Sequence, residues 1–145
     1  MPDLGSRTDP YLSNAFFVEI DGITHAGFTE CTGLQVETDV FQYKEGGLNE
    51  YTHKLAGRST YANVVLKWGI VDDQSLWSWY QDVIRGKIQR KNLSITLYNS
   101  EQTEVKRWNL REAYPVKWVG PAFNANQQQV GIETLEIAYN GFEMQ

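Results

Sequence analysis

The last third of the chain constrains its fold more than any other stretch. Trp108 to Trp118 is rich in aromatic and β-branched residues, Gly120 to Gln129 collects Gly, Pro and Asn, and Ile132 to Tyr139 alternates apolar with polar side chains. This is a strand, a turn and a second strand. An alternating strand has two usable faces, one for a core and one for water or a partner. No combination of acid, base and nucleophile gathers there, so the chemistry is that of a wall rather than of a catalyst.

The same period of two recurs upstream. Phe16, Val18 and Ile20 alternate with Phe17, Glu19 and Asp21, and the turn Asp21-Gly22 closes the strand. Leu34, Val36, Thr38 and Val40 alternate with Gln35, Glu37, Asp39 and Phe41, giving a second strand on which Leu34, Val36 and Val40 are expected to face inward and Glu37 and Asp39 outward. Val64, Leu66 and Trp68 alternate with Asn63, Val65 and Lys67; Leu93, Ile95 and Leu97 alternate with Ser94, Thr96 and Tyr98. Asn99 to Gln102 reads as a hairpin turn, and the strand from Val105 to Val119 is expected to bend at Pro115, which cannot donate to a ladder. One segment breaks the pattern: Ser75 to Ile84 places Leu76, Tyr80, Val83 and Ile84 on one helical face, with Asp72 or Asp73 as cap and Gly86 past the end. Trp77 and Trp79 fall on different faces of that helix, so one of them is expected to be largely uncovered unless a partner buries it. Residues 44–60 hold three glycines and little periodicity and read as one long loop. The fold class is therefore mainly β, an antiparallel sandwich or barrel with one α-helix. Residues 1–10 read as an exposed arm and 11–145 as a single domain.

Composition narrows the function. Five Trp, eight Tyr and six Phe exceed what a core of this size needs, and such side chains favour sheets and interfaces. A net charge of −5 argues against a dedicated nucleic-acid binder. Cys31 is the only cysteine, which excludes an internal disulfide and fits a reducing site of synthesis. The start of the chain has no apolar signal region, and no apolar run is long enough to span a bilayer. His25, His53 and Cys31 make a poor zinc set, and a buried role for Cys31 is favoured over a nucleophilic one. Gly46-Gly47 lacks the context of a phosphate loop. Glu133 and Glu136, three apart in a strand, face opposite sides and do not form an acid/base pair. Arg85, Lys87, Arg90 and Lys91 read as a solvated helix end rather than a nucleic-acid patch. No cofactor is expected.

Six segments together resemble the phage tail tube proteins: Asp9 to Gly22, Phe28 to Leu34, Lys54 to Arg58 with Asn63 to Gly69, Asn92 to Ile95, Ala113 to Trp118 and Glu133 to Ala138. They span about residues 9–143 in order. The chain has Tyr139-Asn140-Gly141 where many relatives carry His-Glu-Gly. The likeness is closest to the inner tube protein of extracellular contractile injection systems. It implies a non-enzymatic homohexamer whose sheets form a continuous barrel, rings stacked into a tube, a sheath around it, baseplate, spike and terminator proteins at its ends, and protein cargo in the lumen. It further implies assembly in the bacterial cytoplasm into a phage tail or a phage-tail-like particle that can be released, with no sequence-specific nucleic-acid binding and no membrane insertion by the subunit itself. Under that resemblance Glu45, Gly46, Gly47, Leu48, Asn49, Glu50 and Tyr51 are expected to stack rings. Glu37, Asp39, Asn63 and Lys67 are expected to face the lumen, and Leu135 and Ile137 to serve strand pairing within a ring. The alternatives are a type VI secretion tube protein, which shares the fold, and a small-molecule-binding barrel of the lipocalin type.

Overall fold

A computed structural model describes residues 9–23, 27–43 and 53–145. The described elements run β1 (Phe16–Ile20), β2 (Phe28–Thr32), β3 (Val36–Tyr43), β4 (His53–Tyr61), β5 (Val64–Gly69), α1 (Ser75–Ile84), β6 (Lys91–Tyr98), β7 (Glu104–Val119), β8 (Ile132–Ala138) and β9 (Phe142–Met144). Seven strands form one sheet in the order β1-β6-β7-β8-β5-β2, with β9 beside β7, while β3 and β4 make a separate two-stranded ribbon. All pairings are antiparallel. The fold class is mainly β with one helix, as the alternation requires, but the sheet does not close on itself within the chain.

Period-two patterning places the core. Val64, Leu66 and Trp68 of β5 are buried, as are Leu135 and Ile137 of β8, Leu93 and Ile95 of β6, and Val18 and Ile20 of β1. Leu110 and Ala113 of β7 and Leu76 and Trp79 of α1 complete the cluster. Trp68, Leu66, Leu135 and Ile137 fill the interior that a lipocalin-type carrier would keep empty.

β7 holds the two halves of the sheet together. Its first part pairs with β6 from Tyr98↔Glu104 to Lys91↔Ala113, and its last part pairs with β8 from Tyr114↔Ala138 to Val119↔Thr134. The change of direction comes at Glu112, which has φ 51°, rather than at Pro115 alone. Proline only withholds a donor, whereas turning a strand needs an extra residue set against its partner, as in a bulge. The Glu112 amide donates to Asn92 Oδ1 at 3.3 Å, and its carboxylate accepts from Asn140 Nδ2. β7 has three register shifts, opposite Lys91/Leu93 and Leu97/Tyr98 of β6 and between Pro115 and Lys117.

The helix occupies the span expected of it. Asp73 Oδ1 accepts from the Ser75 amide at 2.8 Å, one residue ahead of the Gln74 cap position. At the other end Gly86, with φ 86°, donates to Val83 O, and Lys87 donates to Asp82 O, closing a Schellman motif. Trp79 Nε1 donates to Gln89 O at 2.8 Å, and Tyr80 Oη donates to Val116 O at 3.0 Å. The second bond ties the helix to the part of β7 that runs past the end of β6. Trp77 is half-buried, with its ring 5.0 Å from that of Trp118, so it is not the largely uncovered tryptophan expected from the helical pattern. Trp118 in turn meets Trp68 at 5.5 Å.

Three further readings need correction. The segment read as one loop over 44–60 carries β4 from His53 onward. Val36 and Val40 do not face the core; both are exposed on the ribbon. The chain also has β2, and β9 lies beyond the strand expected to be last.

Candidate assembly surfaces

The ends of the open sheet are the first surface. β1 pairs only with β6 and β2 only with β5, so their outer edges carry no neighbouring strand among the described residues. An unprotected edge is a template for another strand. β8 differs: it pairs with β5 on one side and β7 on the other. Leu135 and Ile137 therefore have their ladder partners inside the subunit, and both side chains are fully buried.

The second surface is the wet face of β2-β5-β8-β7. Because Val64, Leu66 and Trp68 point inward, Asn63, Val65 and Lys67 point outward. Asn63 Nδ2 donates to Glu136 Oε2 at 2.9 Å, and Lys67 Nζ lies 3.6 Å from Glu30 Oε2. Cross-strand register adds Lys117 opposite Glu136. The result is a mixed, self-neutralising polar face. Glu37 and Asp39 are not on it; they are exposed on β3 in the ribbon. Sequence reasoning left Glu30 unplaced and treated Glu136 only as a surface charge, since their positions follow from cross-strand register, which a single strand's pattern does not encode.

The third surface is the ribbon. Phe41 and Leu55 sit directly opposite each other and are 61% and 54% exposed. Gly57 lies under the Phe41 ring, where an added Cβ would come within 2.6 Å of Phe41 Cε2. Thr38 and Ser59 share a hydroxyl hydrogen bond of 2.8 Å across the strands. Glu45 to Tyr51, the expected stacking segment, lie outside the described residues.

Titratable groups are sparse in chemistry. Burial pushes the Cys31 thiol up to about 11, which disfavours the thiolate that nucleophilic chemistry needs. Burial also raises Tyr139. Glu133 pairs across from Trp68 and Glu136 from Val65, on opposite faces. Arg90 lies 5.0 Å over the Tyr114 ring and 4.0 Å from Glu112, so it belongs to a mixed-charge cluster. Among the described residues no group of three His, Cys, Asp or Glu is placed to hold a metal, and no helix is long and apolar enough to cross a membrane.

Comparison with known proteins identifies the fold. A chain in the cryo-EM structure of the six-fold symmetrised anti-feeding prophage baseplate is 30% identical, with a TM-score of 0.87 over 96% of this chain and 97% of that one. A chain of the sheath-tube complex of the PVC extracellular contractile injection system, in its extended state, is 23% identical with a TM-score of 0.85, covering 94% of this chain and 91% of that one. Hcp1 from Flavobacterium johnsoniae shares the fold at 17% identity and a TM-score of 0.56, over 90% of this chain and 94% of its own. The comparison with curated proteins returns no match. The family model described as T4-like virus tail tube protein gp19 matches residues 12–143, and the chain belongs to that tail tube family as a structural tube subunit.

Proposed function

We propose that this subunit forms six-membered rings that stack into the inner tube of a contractile particle. The observation that carries the reading is the open sheet whose end strands, β1 and β2, have no neighbour on their outer edges among the described residues. Pairing β1 of one copy with β2 of the next removes both edges and joins the sheets into one barrel around a bore. A chain from a six-fold symmetrised particle that is 30% identical supports the ring number. The PVC sheath-tube and terminator structures, alike in fold, support a sheath around the tube and a terminator at its end. The anti-feeding prophage match supports a baseplate below. Leu135 and Ile137 serve ring pairing indirectly, by holding β8 rigid between β5 and β7. In this reading the subunit has no catalytic role and works inside a phage-tail-like particle.

The bore is lined by the wet face of β2-β5-β8-β7, with Asn63 and Lys67 beside Glu30, Glu136 and Lys117. Mixed charge suits a conduit for protein cargo: an apolar lining would trap it, and a strongly basic one would hold nucleic acid. Glu37 and Asp39 belong to the lumen only where the ribbon lines the bore. Negative-stain microscopy and mass photometry test the assembly; rings and tubes are expected, and a species that stays at 16.6 kDa across concentrations refutes it. For the lining, Lys67→Cys and Glu37→Cys are each made in a Cys31→Ser background. A lumen position in assembled tubes reacts with a small maleimide and not with a polymer-linked one. Equal reaction with both puts that position on the outside.

A further inference from the structure

The chain contains one Asn-Gly pair, Asn140-Gly141, in the turn between β8 and β9. Asparagine is a thermolabile residue, and a following glycine leaves the attacking peptide nitrogen uncrowded. Asn140 is exposed, and its Nδ2 donates to Glu112 Oε2. We propose that Asn140 is a site of spontaneous deamidation, that the Glu112 contact restrains the reaction, and that the product breaks the link between this turn and the bend of β7. The Gly141 amide nitrogen attacks Asn140 Cγ and forms a new N–C bond. The Cγ–Nδ2 bond breaks, Nδ2 takes the proton that Gly141 gives up and leaves as ammonia, and a cyclic imide remains. Water then opens the ring at either carbonyl, giving aspartate or isoaspartate. Nothing is oxidised or reduced, and water is the only co-reactant.

The fold builds the reactive pair and cannot dispense with its glycine. Gly141 has φ 99°, and a Cβ there would stand 3.1 Å from Arg111 Nη2 and 3.3 Å from Tyr61 Cε2. Two backbone bonds pin the turn to β7: the Asn140 amide donates to Arg111 O at 2.8 Å, and the Arg111 amide donates to Gly141 O at 3.0 Å. They sit next to the register that sets Phe142 opposite Leu110. The Asn140 side chain adds a third tie, to the residue with φ 51° at which β7 turns. A carboxylate only accepts, so the amide nitrogen and not the oxygen faces Glu112. Holding that amide opposes the rotation that brings Cγ onto the Gly141 nitrogen. After deamidation the donor is gone, and two carboxylates of like charge face each other. Arg90, 4.0 Å from Glu112 Oε2, offsets part of that repulsion. Isoaspartate also lengthens the main chain by one carbon, in a turn whose present length seats β9 on β7.

The full chain is incubated in warm, mildly alkaline buffer and mapped by peptide mass spectrometry, with isoaspartate scored by methyltransferase labelling. Conversion at Asn140 is expected to outrun that at every other asparagine, and to run several-fold faster in Glu112→Ala. Faster conversion at another asparagine overturns the site. An unchanged or slower rate in Glu112→Ala overturns the restraint. Asn140→Asp isolates the product and is expected to melt several degrees below wild type. Adding Glu112→Gln returns a side-chain donor to the contact, facing the new carboxylate, and the double variant is expected to regain most of the lost melting temperature. An Asn140→Asp melt equal to wild type overturns the broken link, as does a double variant no better than the single one. Should Glu112→Ala fail to fold, the wild-type map and these two melts still decide the proposal.

Discussion

Gly33 is the joint on which the ribbon is mounted, and replacing it by alanine should be among the costliest small changes in the chain. Its φ is 101°, a conformation that a Cβ strongly disfavours, and that Cβ would stand 2.2 Å from the Asn63 carbonyl oxygen. The backbone conformation costs about 1–3 kcal/mol. Pushing aside a main-chain carbonyl at the head of β5 adds about 1–3 kcal/mol, as overpacking does elsewhere. Two controls separate these causes. Gly86→Ala, with φ 86° and nothing within 4 Å, carries the conformational cost alone, about 1–2 kcal/mol. Gly120→Ala has neither cost and should stay within about 0.5 kcal/mol of wild type. With an unfolding entropy of about 2.1 cal/mol/K per residue, 145 residues give about 0.3 kcal/mol/K. Gly33→Ala, at about 2–6 kcal/mol, should then lower Tm by about 7–20 °C, and Gly86→Ala by about 3–7 °C. Thermal melts followed by tryptophan fluorescence measure this, repeated over a range of protein concentrations because assembly raises apparent stability by mass action. A Gly33→Ala melt indistinguishable from that of Gly86→Ala refutes the reasoning, since it would mean that the Asn63 carbonyl yields without cost.

Trp79→Phe removes the indole donor to the Gln89 carbonyl, which lies on an exposed residue; a loss of about 1–2 kcal/mol is expected from the urea midpoint. Leu135→Pro should give no folded subunit, because β8 is bonded on both sides and proline inside a sheet removes a ladder bond; a folded, ring-deficient product by circular dichroism would contradict this. Cys31 gives a pH signature. Its thiol is pushed up from 9.0 to about 11 by burial, so the unfolded chain ionises first. The contribution is fully present below pH 9 and falls as pH rises through the window from 9 to 11. Two pKa steps set an upper bound of about 3 kcal/mol. Urea titrations of Cys31→Ala should show a shallower loss of stability over that window than wild type, in part because Cys31 also helps to raise Tyr139.

The fold was legible wherever one face of an element is buried inside the subunit. Val64, Leu66 and Trp68 against Asn63 and Lys67 gave β5 its orientation, and the helix was read to its ends by Leu76 and Gly86, although Ile84, read on one face with Leu76, Tyr80 and Val83, is exposed and Trp79 is buried instead. β7 was read as bending at Pro115, yet the left-handed residue is Glu112, whose role depends on Asn92 and Asn140, far away in sequence. β4 was missed because both faces of the ribbon are open, so nothing within the subunit selects an apolar-polar rhythm over Lys54 to Thr60. Among the surfaces, Asn63 and Lys67 lie on the outward face of β5, as the alternation of that strand requires. The edges β1 and β2 were not identified, because strand order in a sheet is a long-range property.

The ribbon also explains why the alternation of β3 misled. Val36 and Val40 read as core because apolar residues recur every second position, and in the subunit they are exposed. Alternation records that a face is buried, not which chain buries it. A lone ribbon with exposed Val36, Val40, Phe41 and Leu55 is an aggregation liability that a subunit working alone gains nothing by keeping.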